Sequence, residues 1–210
     1  MKYYLKQQKM SKFNVLIALS FFSITAFAQS GTGSWVIYKN KLTLNEKTSF
    51  DTQYQHRSFE LDLAEDQALI TAGFTRALLS NVSVSAGYRK IGALSEHGAY
   101  QKVAFSTQLS SVKLTNSFFL EERWLGDNFQ LRYRFGINAK TPLSSTVALS
   151  LSEEVFLQNS GTSFNQNRIT AQAIHKLSDA LYLNAGVMHW QFPTTKQWVL
   201  LLSLSHTIAL

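Results

Sequence analysis

From Phe129 to Lys140 the chain reads FQLRYRFGINAK. Phe129, Leu131, Tyr133, Phe135, Ile137 and Ala139 alternate with Gln130, Arg132, Arg134, Gly136, Asn138 and Lys140. A period of two predicts a strand with one apolar and one polar face. In a soluble protein the apolar face is the core; in a membrane barrel it meets lipid and the arginines are enclosed. The same alternation recurs in the segments 34–41, 48–60, 67–77, 82–90, 99–109, 112–124, 129–140, 147–158, 168–176, 181–192 and 197–210. Many exceed the usual strand length of about 5–6 residues and suit the roughly 9–11 that a tilted strand needs to cross a bilayer.

The connections read as two alternating kinds. LLSN (78–81), SS (110–111), TPLSST (141–146) and LSDA (177–180) are tight or modest turns. ELDLAED (60–66), IGALSEHG (91–98), LGDN (125–128) and NSGTSFNQN (159–167) are mostly longer and more polar. Outer-membrane barrels alternate short periplasmic turns with longer outer loops. On this assignment Trp35, Trp124, Trp190 and Trp198 all lie at outer strand ends, where an aromatic girdle at the lipid–water boundary would place them. The expected fold is therefore all-β, a transmembrane antiparallel up-and-down β-barrel of about 10–12 strands. Eleven segments leave a parity problem, because bacterial barrels normally have an even strand number. The last segment ends at Leu210 and is similar to the C-terminal strand that barrel-assembly machinery reads, although such strands usually end in Phe or Trp.

The N-terminus carries a different pattern. Lys2, Lys6, Lys9 and Lys12 precede the apolar run VLIALSFFSITAFA, which closes on Ala26-Phe27-Ala28. A basic stretch, a short apolar run and an A-x-A site predict a cleaved signal peptide over 1–28 and an exported barrel over 29–210. Met10 offers a shorter start. Export changes the charge: the net +7 of the whole chain, from 20 basic and 13 acidic residues, includes those four lysines. The exported part carries 16 basic against 13 acidic residues, a net +3, which does not argue for a nucleic-acid partner. With Cys 0, disulfides, thiolate metal sites, cysteine nucleophiles and a lipoprotein anchor are excluded. After Ala28 no apolar run approaches the length of a membrane-spanning helix.

WVIYKNKLTL, TSFDTQYQHRSFE, AGYRKI (86–91), FFLEERW (118–124) and LRYRFGINAKTPL (131–143) together resemble the domain-of-unknown-function 2490 family of bacterial outer-membrane β-barrel proteins. The resemblance covers nearly the whole exported chain. It implies a barrel in the bacterial outer membrane, with outer-membrane lipid as its surroundings, and carries over no catalytic residues.

Candidate chemistry sits on the presumed inner faces. Arg57, Arg89, Arg123, Arg132, Arg134 and Arg168 fall in the outer half, with Glu60, Glu96, Glu121 and Asp127 at similar depth. Guanidinium groups grip phosphate or carboxylate with paired donors, so one reading is a lumen site for a small anionic ligand, with Glu60 and Glu121 as counter-charges. The plainer reading is a narrow, charge-filled lumen in which Arg and Glu neutralise one another. The doublets Glu121-Glu122 and Glu153-Glu154 put neighbours on opposite faces and make poor acid/base pairs. Glu153 shares the apolar face of Leu149, Leu151, Val155 and Leu157, so it needs either an interfacial position or a bulge that turns it inward.

Five histidines, His56, His97, His175, His189 and His206, are the candidates for a lipid-modifying enzyme, but no nucleophile motif accompanies them. His206 lies opposite Ser203 and Ser205. No His or carboxylate spacing suggests a metal, and no cofactor is implied. The alternatives to a structural or small-pore barrel are thus an envelope lipid-modifying enzyme and a soluble periplasmic β-sandwich or barrel binder. Of these readings the enzyme is the less favoured.

Overall fold

The computed structural model describes residues 31–92, 94–158 and 163–210. The expected signal peptide lies outside the described residues. Eleven strands form one closed barrel. They are β1 (Thr32–Asn45), β2 (Thr48–Ser58), β3 (Gln67–Ala77), β4 (Val82–Ile91), β5 (Glu96–Leu109) and β6 (Val112–Leu125). Then follow β7 (Asn128–Pro142), β8 (Val147–Gln158), β9 (Ser163–Lys176), β10 (Leu181–Gln191) and β11 (Lys196–Ala209).

The eleven segments of the alternation are all strands, and the expected antiparallel pattern needs one correction. Each strand pairs antiparallel with its neighbour in sequence, but β1 closes on β11 in parallel, from Thr32↔Trp198 to Thr43↔Ala209. An up-and-down chain of odd strand number has no other way to close. Closure gives every edge N–H and C=O a partner.

The loop sorting also needs correction. Glu96–Gly98 begin β5 and Ser163–Asn167 begin β9, so the polar stretches read as loops are largely strand. Their polarity belongs to inward positions: Glu96, Asn165 and Gln166 line the interior. Among the described residues, 59–66 is the longest connection at the end where β1 begins, here the upper rim. At the lower rim, Leu78, Leu143 and Leu177 open three similar turns, each closed by its N–H donating to Val82, Val147 or Leu181. The two-residue turns 110–111 and 126–127 place Ser110 and Gly126 at φ +53° and +58°, the left-handed region that tight hairpins require.

Faces follow from register. Trp35 stands opposite Arg57, and Glu121 opposite Arg132; all four line the interior. The intervening residues point out. Phe129, Phe135 and Ile137 are exposed, Phe135 at 46%, whereas Arg132 is buried. Ile70, Phe74, Phe105, Phe118, Leu151 and Ile169 extend this apolar exterior around the wall.

Candidate functional site: a cation-rich interior

The barrel encloses one cavity of about 1040 Å³ that runs from Phe192 and Leu94 above to Lys41 and Thr207 below. Arg57, Arg89, Arg123, Arg132, Arg134 and Arg168 all reach it, as do Lys39, Lys41 and Lys102. Four acids, Asp51, Glu96, Glu121 and Glu154, share the same wall. Among the described residues, nine cationic side chains therefore face four anionic ones.

Three of the four acids, Glu96, Glu121 and Glu154, lie on the β5–β8 wall. Gly98 stands between Arg89 and Arg123 in register. A Cβ at Gly98 would collide with the Glu122 carbonyl, so this β5 position cannot fill the space between the arginines. Both then converge on Glu96. Arg123 donates from Nε and Nη2 to the two Glu96 oxygens, each at 2.8 Å, and Arg89 donates to Oε1. Glu121, 1% exposed, accepts Arg132 Nε at 2.6 Å and Arg89 Nη1 at 3.2 Å. Arg134 completes the cluster, 3.3 Å from Glu121 and 3.5 Å from Glu154. Such sharing satisfies two enclosed carboxylates that would be costly if left unpaired.

Arg57 and Arg168 lie outside this cluster. Arg57 donates to Gln55 Oε1 at 2.9 and 2.7 Å and to Gln67 at 3.4 Å. Arg168 donates to Gln166 at 3.4 Å. Neither has an ion pair among the described residues. Their guanidinium carbons lie 4.1 and 5.2 Å from the Trp35 ring centre, and Arg168 also lies over Phe156 and Trp190. The aromatic surface belongs to a buried cluster of Trp35, Ile37, Met188, Trp190, Val199 and Leu201, with Phe192 against it. Trp35 and Trp190 meet edge to face at 5.1 Å.

This cluster corrects half of the aromatic girdle expected from sequence. Trp35 and Trp190 are 4% and 6% exposed and point inward. The other two Trp point out: Trp198 is 42% exposed beside His189, and Trp124 stacks on His97. Position at a strand end does not fix the face; parity does, and Trp35 shares parity with Lys39 and Lys41.

Two acids also move. Glu60 is exposed in the 59–66 loop and provides a backbone carbonyl that accepts the Ser34 hydroxyl at 3.4 Å; it is no counter-charge of the interior. Asp127 is exposed in a turn. Glu96 takes their place. Glu153 stays on the outer face, where Asn167 Nδ2 donates to it at 3.0 Å. The β8–β9 irregularity lies beyond it, at Phe156/Leu157, and does not turn it inward.

Register puts His56, His97, His175 and His189 on the outer face, and His206 lies 3.4 Å from the exposed Tyr38 hydroxyl. Ser203 is buried and bonded to Asn184. No cluster of three or more potential metal ligands occurs among the described residues.

The family of proteins of unknown function designated DUF2490 matches residues 32–200. The chain belongs to this family. Among curated proteins, a sequence search finds no match. The match begins at the first residue of β1 and ends within β11, so the family unit is the barrel itself.

Proposed function

We propose that this DUF2490 barrel sits in the bacterial outer membrane and holds a small anionic solute in its interior. The observation that carries the ligand reading is the charge imbalance of the cavity wall, nine Lys and Arg against four Asp and Glu. A merely structural lumen would approach neutrality, because enclosed charges are costly unless paired. The volume of about 1040 Å³ is at the upper end of the range of small-molecule sites, about 300–1,000 Å³. Arginine wall groups match planar oxyanions, and rings of them favour anions over cations in a pore.

The membrane location rests on the exterior. Exposed apolar side chains, among them Ile70, Phe74, Phe105, Phe118, Phe135, Leu151 and Ile169, recur on successive strands around the wall, and clustered exposed apolar surface of this kind marks an interaction site or a membrane. Trp124 and Trp198 point outward near the upper rim. Barrel closure removes the unpaired backbone groups that lipid does not tolerate.

Carbonate and urea washing of cell envelopes tests the location; release of the protein without detergent refutes it. Titration of the purified protein in nanodiscs with inorganic phosphate tests the ligand. Saturable binding that weakens with added salt is expected, and no detectable binding of phosphate or of any organic oxyanion refutes the site. Planar-bilayer reversal potentials in a salt gradient then separate a conducting barrel from a closed binding barrel.

A further inference from the structure

We infer that the interior site takes an amphiphile: an oxyanion head, carboxylate or phosphate, joined to an aromatic or aliphatic group. The inference rests on the anion-binding reading above and narrows it to a ligand class and a place. The cluster of Arg89, Arg123, Arg132 and Arg134 is already engaged by Glu96, Glu121 and Glu154. An anion entering there competes with buried carboxylates. No carboxylate is in ion-pair contact with Arg57 or Arg168 among the described residues, although Glu154, which Arg134 also holds, stands opposite Arg168 in register. Arg57 and Arg168 both lie beside the Trp35 indole, so their separation cannot exceed the sum of 4.1 and 5.2 Å. Arg168 Nε is buried with no hydrogen-bond partner, as are Arg89 Nε, Arg123 Nη1 and Arg134 Nε in the cluster. Two guanidinium groups against one indole offer paired donors to an oxyanion head.

Beside this pair lies apolar surface instead of further charge. Trp35, Ile37, Met188, Trp190, Phe192 and Leu201 all border the cavity. A fully hydrated inorganic anion gains nothing from that wall. An apolar group attached to the head covers it and stacks on the indoles, contributing about 25 cal/mol per Å² of apolar area buried. Phe59, from the 59–66 loop, lies 6.4 Å from Trp190 and borders the same space. The apolar part is thereby directed toward the upper rim.

The test uses the full chain in phosphatidylcholine nanodiscs and isothermal titration with 1-naphthyl phosphate, 1-naphthoate, inorganic phosphate and 1-naphthol. We expect a naphthyl anion to bind about tenfold or more tightly than inorganic phosphate, and naphthol to bind no more than it does to empty nanodiscs. Arg57→Gln with Arg168→Gln lowers the naphthyl anion's affinity about tenfold or more. Trp190→Leu lowers the naphthyl anion's affinity by a larger factor than that of phosphate, bringing the two closer together. Phosphate bound as tightly as both naphthyl anions overturns the amphiphile and leaves the anion site standing. Absence of binding by every anion overturns both. Undiminished naphthyl binding in the double arginine variant, with wild-type heat-modifiable migration, overturns the place. If that variant does not fold, the wild-type affinity ratio and Trp190→Leu decide alone.

Discussion

Glu121→Ala is the sharpest probe of the interior. The carboxylate is almost fully enclosed and neutralises Arg132, Arg89 and Arg134 at 2.6, 3.2 and 3.3 Å. Charged hydrogen bonds contribute about 1.5–3 kcal/mol each, but the three do not add. Arg89 keeps Glu96 and Arg134 keeps Glu154. Arg132 has no other ion pair among the described residues, so the loss centres on one guanidinium left enclosed without its acid. Breaking a buried pair in this way costs about 3–5 kcal/mol; with water in the cavity the lower end, about 3 kcal/mol, is expected. Removing Arg132 as well relieves the uncompensated charge. The double variant Glu121→Ala/Arg132→Ala should therefore lose less than the sum of its parts, with a coupling of about 1–3 kcal/mol. Urea titration of the barrel in lipid vesicles, read by heat-modifiable gel mobility, measures all three variants. A single-variant loss below about 1 kcal/mol, with native mobility, would show that the cluster is solvated and that the arginines are not held by Glu121.

Three other outcomes follow. Single-Trp variants in brominated lipid should show quenching at Trp198 and none at Trp190, because the first points out and the second in; equal quenching refutes the assigned faces or the membrane. Gly87→Val should cost about 1–3 kcal/mol by overpacking in the same urea assay, because a side chain there meets the Tyr100 hydroxyl and the Gly73 backbone closer than 3 Å; an unchanged midpoint would place Tyr100 elsewhere. The 59–66 loop should loosen in acid. Glu65 is held below the ordinary glutamate range first by the Tyr54 hydroxyl and then by His56. A depressed folded-state pKa means that its stabilisation is complete above the unfolded value and fades as pH falls through the folded one. Hydrogen exchange of 59–66, corrected for intrinsic rate, should therefore rise below about pH 4.5, and Tyr54→Phe should move that rise to higher pH; a pH-independent loop refutes the latch.

The strand pattern was legible because one period served throughout. The segments 67–77 and 147–158 match β3 and β8 to the residue. The errors share one physical cause. In a barrel with a wet interior, inward residues are polar, so a strand whose outward residues are also small or polar looks like a loop. Glu96-His97-Gly98 and Ser163 to Asn167 were hidden in this way. The inward turn of Trp35 was readable from its parity with Lys39 and Lys41, but the girdle pattern, which depends on strand ends alone, outweighed it. The six arginines were visible as a set because parity and depth place them together. Their division into four that are ion-paired and two that, among the described residues, are not was hidden, because it depends on which side chains converge across three or four strands. Nothing in the local pattern of Glu96 distinguishes it from the solvated Glu60.

The parallel seam between β1 and β11 also governs how the chain can be assembled. Ten neighbouring pairs are hairpins whose partners are close in sequence, so each closes only a short loop. The eleventh joins residues as far apart as Tyr38 and His206, 168 positions apart, and no turn can nucleate it. Loop-closure entropy makes such a contact the slowest to gain. Until it forms, both edges of the sheet expose unpaired backbone groups. Zipping of the first strand onto the last is thus expected to be a late step of folding. Substitutions along Trp35–Lys41 or Leu200–His206 should slow the appearance of the closed form more than equally destabilising ones in β5 or β6.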